Sequence, residues 1–265
     1  MGGSNIEQRY EPEKNTIAGF LNYNLDKDNL NFEIINAGVE AQSTRGMVLS
    51  FKNWFFKLKN FSPDIIILYV GITDYRIKED DSFNKKISEG NLLNASKIEQ
   101  IKDNIKSRSI ILDSIRIFKF KFLPRKEFVK YDGNQDPNLK NNFNYKTYEE
   151  AIKDFDLMEL RSIYGERVKN YLNRIDKLYE LSSRLNSKPI FVTNILASGF
   201  SKIGLILNTS LMEHCSKMDY ICIDVAKNLD SNVDYWKDGV HTSSKGSQAI
   251  ADLIYKDLKK IIINK

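Results

Sequence analysis

Residues 62–74 read SPDIIILYVGITD, an apolar run bounded by residues that favour turns. Pro63 and Asp64 precede the run and Gly71 follows it, which is typical of one strand. Because the apolar residues are continuous and do not alternate with polar ones, we predict a strand buried on both faces, as in a parallel sheet covered by helices. Thr73 and Asp74 then follow the carboxyl end of the strand, where open α/β sheets place their functional sites.

Strands and helices are predicted to alternate on either side of this stretch, which indicates an α/β protein. Helical spacing of apolar residues is found at 16–27, 46–60, 164–186, 208–218 and 243–262. Further short strands are predicted at 32–36, 189–193 and 220–225. We therefore expect residues 1–265 to form a single domain, with a parallel sheet between two helical layers.

Residues 75–164 interrupt the alternation with a long insertion that has no clear strand-helix rhythm. Insertions of this length in compact domains are usually lids, binding segments or partly ordered excursions. Within it, residues 102–130 are basic and interleaved with apolar side chains, a pattern that also suits a membrane surface or a polyanion. We interpret the insertion as a lid over the functional site.

The composition excludes several classes of function. Lys and Arg number 40 against 35 Asp and Glu, with no Arg-rich tract, so no nucleic-acid partner is expected. Two cysteines and two histidines are too few for a disulfide framework or a His-rich metal centre, and we expect Cys215 and Cys222 to be free thiols. Since the first residues lack the apolar segment of an export signal, the chain as written is expected in the cytoplasm.

One histidine lies in the segment Asp238-Gly239-Val240-His241, just before the last predicted helix. An aspartate three residues before a histidine, in a turn, can hold the imidazole in one tautomer and stabilise its protonated form. The histidine is then a competent general base. A simple helix cap formed by Ser243 or Ser244 explains the same segment, so both interpretations stay open at this point.

A nucleophile for that base is found at Gly3-Ser4, near the other end of the chain. A glycine before a serine permits a sharp turn that exposes the hydroxyl and leaves the serine N–H available to an oxyanion. A flexible Gly-Gly-Ser segment accounts for the same residues without any chemistry. Gly38 and Thr73, each beyond a predicted strand, would add an N–H and a hydroxyl to an oxyanion hole.

Taken together, four blocks resemble the SGNH, or GDSL-type, hydrolases: Gly-Gly-Ser-Asn at 2–5, Asn-Ala-Gly at 36–38, Gly-Ile-Thr-Asp at 71–74 and Asp-Gly-Val-His at 238–241. The resemblance implies a flavodoxin-like three-layer α/β/α sandwich and a serine esterase that needs no metal or other cofactor. It implies Ser4 as nucleophile, His241 as base and Asp238 as the acid that orients it. Ser4, Gly38 and Thr73 would form the oxyanion hole.

The longer match Gly-Gly-Ser-x-x-Glu-Gln-Arg-Tyr, which begins at Gly2, is similar to a bacterial branch associated with envelope polysaccharides. The substrate implied by this resemblance is an O-acyl ester, with O-acetyl on a carbohydrate as the expected group. Two alternatives stay open. One is an acyltransferase with the same three residues, and the other is a non-catalytic scaffold that binds a glycan or a partner.

Two features depart from the family pattern. Thr73 stands where the family has asparagine, which predicts a slowed enzyme, because losing an oxyanion donor costs about 10²–10³-fold in rate.

The family's first strand precedes the serine, whereas only Met1, Gly2 and Gly3 precede Ser4. We therefore expect that strand to be missing from this chain. An upstream segment with an export signal or anchor would place the protein in the cell envelope and on the membrane.

Overall fold

The computed structural model describes residues 1–74, 77 and 135–263. In these ranges the sheet has three parallel strands in the order β1-β2-β3, namely β1 Ile65–Tyr69, β2 Lys188–Val192 and β3 Ile221–Ile223. Ile67 lies opposite Ile190 of β2, which lies opposite Ile221 of β3. The apolar run at 62–74 therefore forms a strand of a parallel sheet, as predicted.

Helices cover both faces of the sheet. The described helices are α1 Ser4–Glu7, α2 Ile17–Lys27, α3 Thr44–Asn53, α4 Pro137–Asn141, α5 Tyr148–Asp154, α6 Leu157–Ser183, α7 Lys202–Met218, α8 Val225–Asn228 and α9 Ser244–Ile263, with 3₁₀ turns at Glu13–Asn15, Phe55–Lys57 and Val233–Tyr235. Helices α2 and α9 pack against each other, and α6 packs against both α3 and α7. The arrangement is the three-layer α/β/α sandwich that the resemblance implies.

Side chains of β2 enter the two layers alternately. Ile190 and Val192 are fully buried in a cluster that also contains Leu25 of α2 and Ile254 of α9. Phe191 is equally buried and faces the opposite layer, because successive side chains of a strand point to opposite faces. The sheet is thus covered on both sides, which explains why its strands are apolar throughout.

Most predicted helices are present, with shifted ends. The helix predicted at 164–186 already begins at Leu157, because the Asp156 side chain caps it by accepting a hydrogen bond from the Met158 N–H. The helix predicted at 46–60 instead spans Thr44–Asn53 and is followed by a 3₁₀ turn. There Phe55 packs edge-on against Phe51, with ring centroids 5.1 Å apart.

Most of the insertion predicted over 75–164 lies outside the described residues, and the basic segment at 102–130 does so entirely. From Gln135 onward, the chain belongs to the same compact unit as the sheet. The lid interpretation therefore stays a prediction. No helix within the described ranges is long and apolar enough to cross a membrane.

The strand predicted at 32–36 is wrong, since this segment pairs with no strand among the described residues. The backbone N–H and C=O of Ile34 instead form hydrogen bonds with the Asn22 side chain, at 2.7 and 3.1 Å. A parallel bridge between Gly2 and Gly38 follows just beyond it. An apolar pattern can predict an extended segment, but a strand also requires a partner for its backbone.

The first residues of the chain pair with the free edge of β1. The Met1 amino group donates to the Ile67 carbonyl at 2.7 Å, and the Met1 carbonyl accepts from the Tyr69 N–H at 3.0 Å. This is the bonding pattern of a parallel ladder in which Met1 lies opposite Leu68. Met1 and Gly2 therefore lie between β1 and Gly38.

An apolar groove adjoins Met1, between β1 and the extended segment at 33–38. Its lining includes Ile17, Leu21, Ile65 and Trp54. Because the Met1 amino group is buried beside this groove, its pKa is lowered to about 5.

The expectation of free thiols is also wrong, because Cys215 and Cys222 form a disulfide. Cys215 lies in the last turns of α7 and Cys222 in β3, and their Cα atoms are 6.2 Å apart. Asp219, in the left-handed conformation with a φ of 55°, ends the helix and turns the chain back towards it. That turn brings the two cysteines within the distance that a disulfide spans.

Gly38 lies where the structure has no room for a side chain, which yields a test of the packing around α1. A Cβ at Gly38 would lie 2.4 Å from the backbone nitrogen of Glu7. We expect Gly38→Ala to lower the free energy of unfolding by about 1–3 kcal/mol, as overpacking usually does. Urea denaturation measures the change.

Gly165→Ala is the matched control, because a Cβ there meets no atom within 4 Å and the residue lies inside α6. It should raise stability by up to about 1 kcal/mol through helix propensity. Destabilisation of the same size by both substitutions would contradict the close approach at Gly38.

Candidate active site

Ser4 is positioned by the turn that joins the Met1 ladder to helix α1. Gly3 is the extended residue before the helix, and its carbonyl accepts hydrogen bonds from the Ile6 and Glu7 N–H groups at 3.0 Å. Since Met1 lies opposite Leu68 near the end of β1, Ser4 lies beyond the carboxyl ends of the strands. Its side chain is half-buried at that edge of the sheet.

The structure brings Ser4, His241 and Asp238 together in one row. His241 Nε2 lies 3.0 Å from Ser4 Oγ, and His241 Nδ1 lies 2.7 Å from Asp238 Oδ2. A carboxylate at Nδ1 favours the tautomer with its hydrogen on that atom, which leaves the Nε2 lone pair facing the serine hydroxyl. This arrangement can activate the hydroxyl as a nucleophile.

Asp238 shapes its own loop as well as orienting the imidazole. Its Oδ1 accepts hydrogen bonds from the backbone N–H groups of Val240 and His241, both at 2.7 Å. Burial alone would raise the pKa of this carboxyl, but the hydrogen bonds from the His241 ring and from the two backbone donors hold it below its usual value. The carboxylate therefore stays ionised beside the imidazole.

Two side chains in and just after α1 contact the loop that carries His241 and the start of α9. Asn5 Nδ2 donates to the Val240 carbonyl at 3.1 Å. Gln8 Nε2 donates to Ser247 Oγ at 2.7 Å and to Thr242 Oγ1 at 3.2 Å. These contacts help to set the distance between Ser4 and His241. The sequence motif contains both residues, but their roles could not be inferred without knowing which loop they face.

A buried ion pair forms a third connection between the same two regions. Lys237 and Glu11 are in direct contact, and both side chains are almost completely shielded from solvent. Burial lowers the pKa of Lys237, while the neighbouring Asp238 acts in the opposite direction. Trp236, beside Lys237, is completely buried and packs in the core.

The three predicted oxyanion donors differ in what they contact. Within the described chain, the Ser4 N–H donates to no protein acceptor. Thr73 Oγ1 lies close to the nucleophile's turn, 3.4 Å from where a Cβ of Gly3 would be. The Gly38 N–H, however, donates to Asn36 Oδ1 at 2.9 Å. The oxyanion hole therefore stays a prediction, and a Gly38 N–H in that role would first have to release Asn36.

The other histidine belongs to a separate cluster. His214 Nε2 lies 2.6 Å from Asp176 Oδ1, which also accepts a hydrogen bond from the Tyr220 hydroxyl at 3.1 Å. No serine or other nucleophile joins these three side chains among their described contacts. Across residues 1–74, 77 and 135–263, no three His, Cys, Asp or Glu side chains are grouped to hold a metal ion.

Solved enzymes share this fold. The psychrotrophic esterase EstA from a Pseudoalteromonas species has a TM-score of 0.55 over 100% of this chain and 97% of its own, at 10% identity. A G-D-S-L family protein from Desulfitobacterium hafniense scores 0.51 over 97% and 95%, at 11% identity. An acetyl xylan esterase scores 0.50 over 97% and 96%, at 14% identity.

By sequence, neither a protein-family model nor a curated protein matches the chain. The structural similarity spans nearly the full length of both chains in each comparison. The protein therefore has the fold of the GDSL-type, or SGNH, esterases.

The lowered pKa of Asp238 predicts how its contribution to stability depends on pH. Its carboxyl ionises more readily in the folded than in the unfolded chain, so ionisation favours folding above the ordinary pKa of 3.8. That contribution is lost as the pH falls below 3.8 through the lower folded-state pKa. We expect Asp238→Asn to reduce the free energy of unfolding by about 1 kcal/mol near neutral pH, and by progressively less in acid.

Asp234→Asn is the control, because among the described residues the Asp234 side chain contacts Lys245 alone, in an exposed ion pair. Its effect should stay below about 0.5 kcal/mol at every pH. Urea denaturation across a pH series measures both variants. If the free energies of unfolding of wild type and Asp238→Asn differed by the same amount at all pH values, the prediction would be contradicted.

Proposed function

We propose that this protein is a serine ester hydrolase of the SGNH family. The observation that carries the proposal is the row of Ser4, His241 and Asp238, with its two contacts of 3.0 and 2.7 Å. Two further facts support it. The row lies at the carboxyl edge of a parallel sheet, where α/β folds place their sites, and the whole fold resembles that of known esterases.

In the proposed reaction, Ser4 Oγ attacks the acyl carbonyl carbon while His241 Nε2 takes the hydroxyl proton. Asp238 stabilises the resulting imidazolium, and the Ser4 N–H and Thr73 hydroxyl stabilise the oxyanion. The tetrahedral intermediate then expels the alcohol, which receives the proton from His241. Water, deprotonated by His241, attacks the acyl-serine; the carboxylic acid leaves, and His241 returns the proton to Ser4 Oγ.

The proposed substrate is an O-acyl ester, with O-acetyl on a carbohydrate as the expected group. Its support is the fold shared with an acetyl xylan esterase and the motif that begins at Gly2. An acyltransferase would use the same residues with a sugar hydroxyl in place of water, and it stays a prediction. The envelope-polysaccharide branch and the reduced rate expected from Thr73 also stay predictions.

Covalent labelling of the nucleophile is the first test. A fluorophosphonate reacts with an activated serine whatever its natural acyl group, and EstA has a structure inhibited by monoethylphosphonate. We expect one adduct by intact mass on wild type and none on Ser4→Ala. Ser183→Ala, an exposed serine at the end of α6, should label like wild type. An unlabelled but folded wild type would favour the non-catalytic scaffold.

Turnover of a simple aryl acetate tests the base and its partner. We expect Ser4→Ala and His241→Asn to lower kcat by at least about 10³-fold, since the residues of such a row act as a unit. Asp238→Asn should cost about 10²–10⁴-fold, because the imidazole loses its required tautomer. Full activity in His241→Asn would exclude the proposed mechanism. Acetate release from acetylated xylan, with and without sugar acceptors, then separates hydrolysis from acyl transfer.

A further inference from the structure

We propose that Arg174, Thr44 and Asp74 are positioning residues that hold the Thr73 hydroxyl beside Ser4. The inference rests on the proposed function, in which Thr73 is an oxyanion donor. Arg174 and Thr44 lie outside the four sequence blocks, on helices α6 and α3.

Thr73 lies in a tight turn whose conformation is set by its neighbours. The Asp74 N–H donates to the Gly71 carbonyl at 2.9 Å, and Gly71 adopts a φ of 111°, which favours glycine. Ile72 and Asp74 are buried, while Thr73 between them is partly exposed. The direction of the Thr73 side chain therefore depends on how the inward-facing Asp74 is held.

Asp74 is held by the first residue of α3. Both carboxylate oxygens accept the Thr44 N–H at 3.2 Å, and Oδ1 accepts the Thr44 hydroxyl at 2.5 Å. The chain just before Thr44 contacts the nucleophile's turn, since a Cβ at Gly3 would lie 3.3 Å from the Gln42 carbonyl oxygen. Asp74 thus links the two segments that flank Gly3.

Arg174 determines which way the Thr44 hydroxyl points. Its Nε donates to Thr44 Oγ1 at 2.8 Å, and a guanidinium can only donate. The Thr44 hydrogen is therefore directed to Asp74. Arg174 and Asp74 are each 1% exposed, with Nη2 and Oδ1 3.6 Å apart.

A buried ion pair of this kind gives little net stability over an apolar replacement. Burial also raises the pKa of Asp74, against the opposing effects of Thr44 and Arg174. We therefore assign the three residues a geometric role: they fix the position of the third-block turn relative to Ser4.

A double-mutant cycle on aryl acetate turnover tests this role. Thr44→Val keeps the side-chain shape but removes the hydroxyl, and we expect kcat to fall about 10-fold with KM unchanged, because small displacements of reacting groups are costly. In a Thr73→Val background the same substitution should cost nothing more. Thr44→Ser, which keeps the hydroxyl, should restore the wild-type rate. Fully additive effects of Thr44→Val and Thr73→Val would overturn the proposal.

Thr193→Val is the matched control for lost stability. Thr193 is completely buried and its hydroxyl donates to Asp224 at 2.8 Å, so its loss should reduce the melting temperature without changing kcat. Arg174→Lys is a second test variant, because it keeps the buried charge but lacks the Nε donor. The effects of Arg174→Lys and Thr73→Val on kcat should also be non-additive, and additive effects would count against the proposal.

Amide hydrogen exchange provides a readout that does not depend on catalysis. We expect the Asp74 amide to exchange at least about tenfold faster in Thr44→Val than in wild type or Thr193→Val, as local opening becomes easier. Unchanged exchange would show that Thr44 does not hold the turn. If the wild type were neither labelled by the fluorophosphonate nor active on aryl acetate, the proposed function would be contradicted. Amide hydrogen exchange would still decide whether these residues hold the turn.

Discussion

Parallel pairing of β1 with β2 is the constraint on which the other elements depend. Because the strands run in one direction, the turn at 71–74 and the nucleophile's turn lie at the same edge of the sheet. Met1 pairs with the remaining edge of β1, and only Gly2 and Gly3 separate it from Ser4. So short a connection to a hydrogen-bonded ladder leaves the nucleophile little freedom of movement.

Residues that take no part in the chemistry establish most of the site's geometry. Asn5 and Gln8 contact the loop that carries His241, and Glu11 pairs with Lys237 in the same loop. Asp238 in turn binds the backbone of that loop with one oxygen and the imidazole with the other. The distance between base and nucleophile is therefore set by several contacts on both sides of it.

Sequence patterns predicted the elements whose signal is local. The continuous apolar run of β1 and the helical spacing of α2 and α9 depend only on neighbouring residues, and these elements are found. The strand at 32–36 and the disulfide of Cys215 with Cys222 depend on what the folded chain brings near them, and both expectations were wrong. The four blocks predicted that Ser4, Asp238 and His241 lie together, as they do in the structure. They did not predict the hydrogen bond from the Gly38 N–H to the Asn36 side chain, because composition does not show which group a backbone N–H bonds to. No role was predicted for Arg174, because a charged side chain within a long helix is usually solvated.

Ser4 and His241 are 237 positions apart, so a ribosome makes the nucleophile long before its base. At ordinary elongation rates the delay is roughly 10–50 s. Until the segment around His241 has emerged and folded, Ser4 is an ordinary alcohol without a proton acceptor. In the proposed mechanism, a nascent chain is therefore not acylated through this site, and a chain that ends before residue 241 lacks the base. Under the proposed mechanism, Ser4 becomes a nucleophile only after the segment that carries His241 has been made.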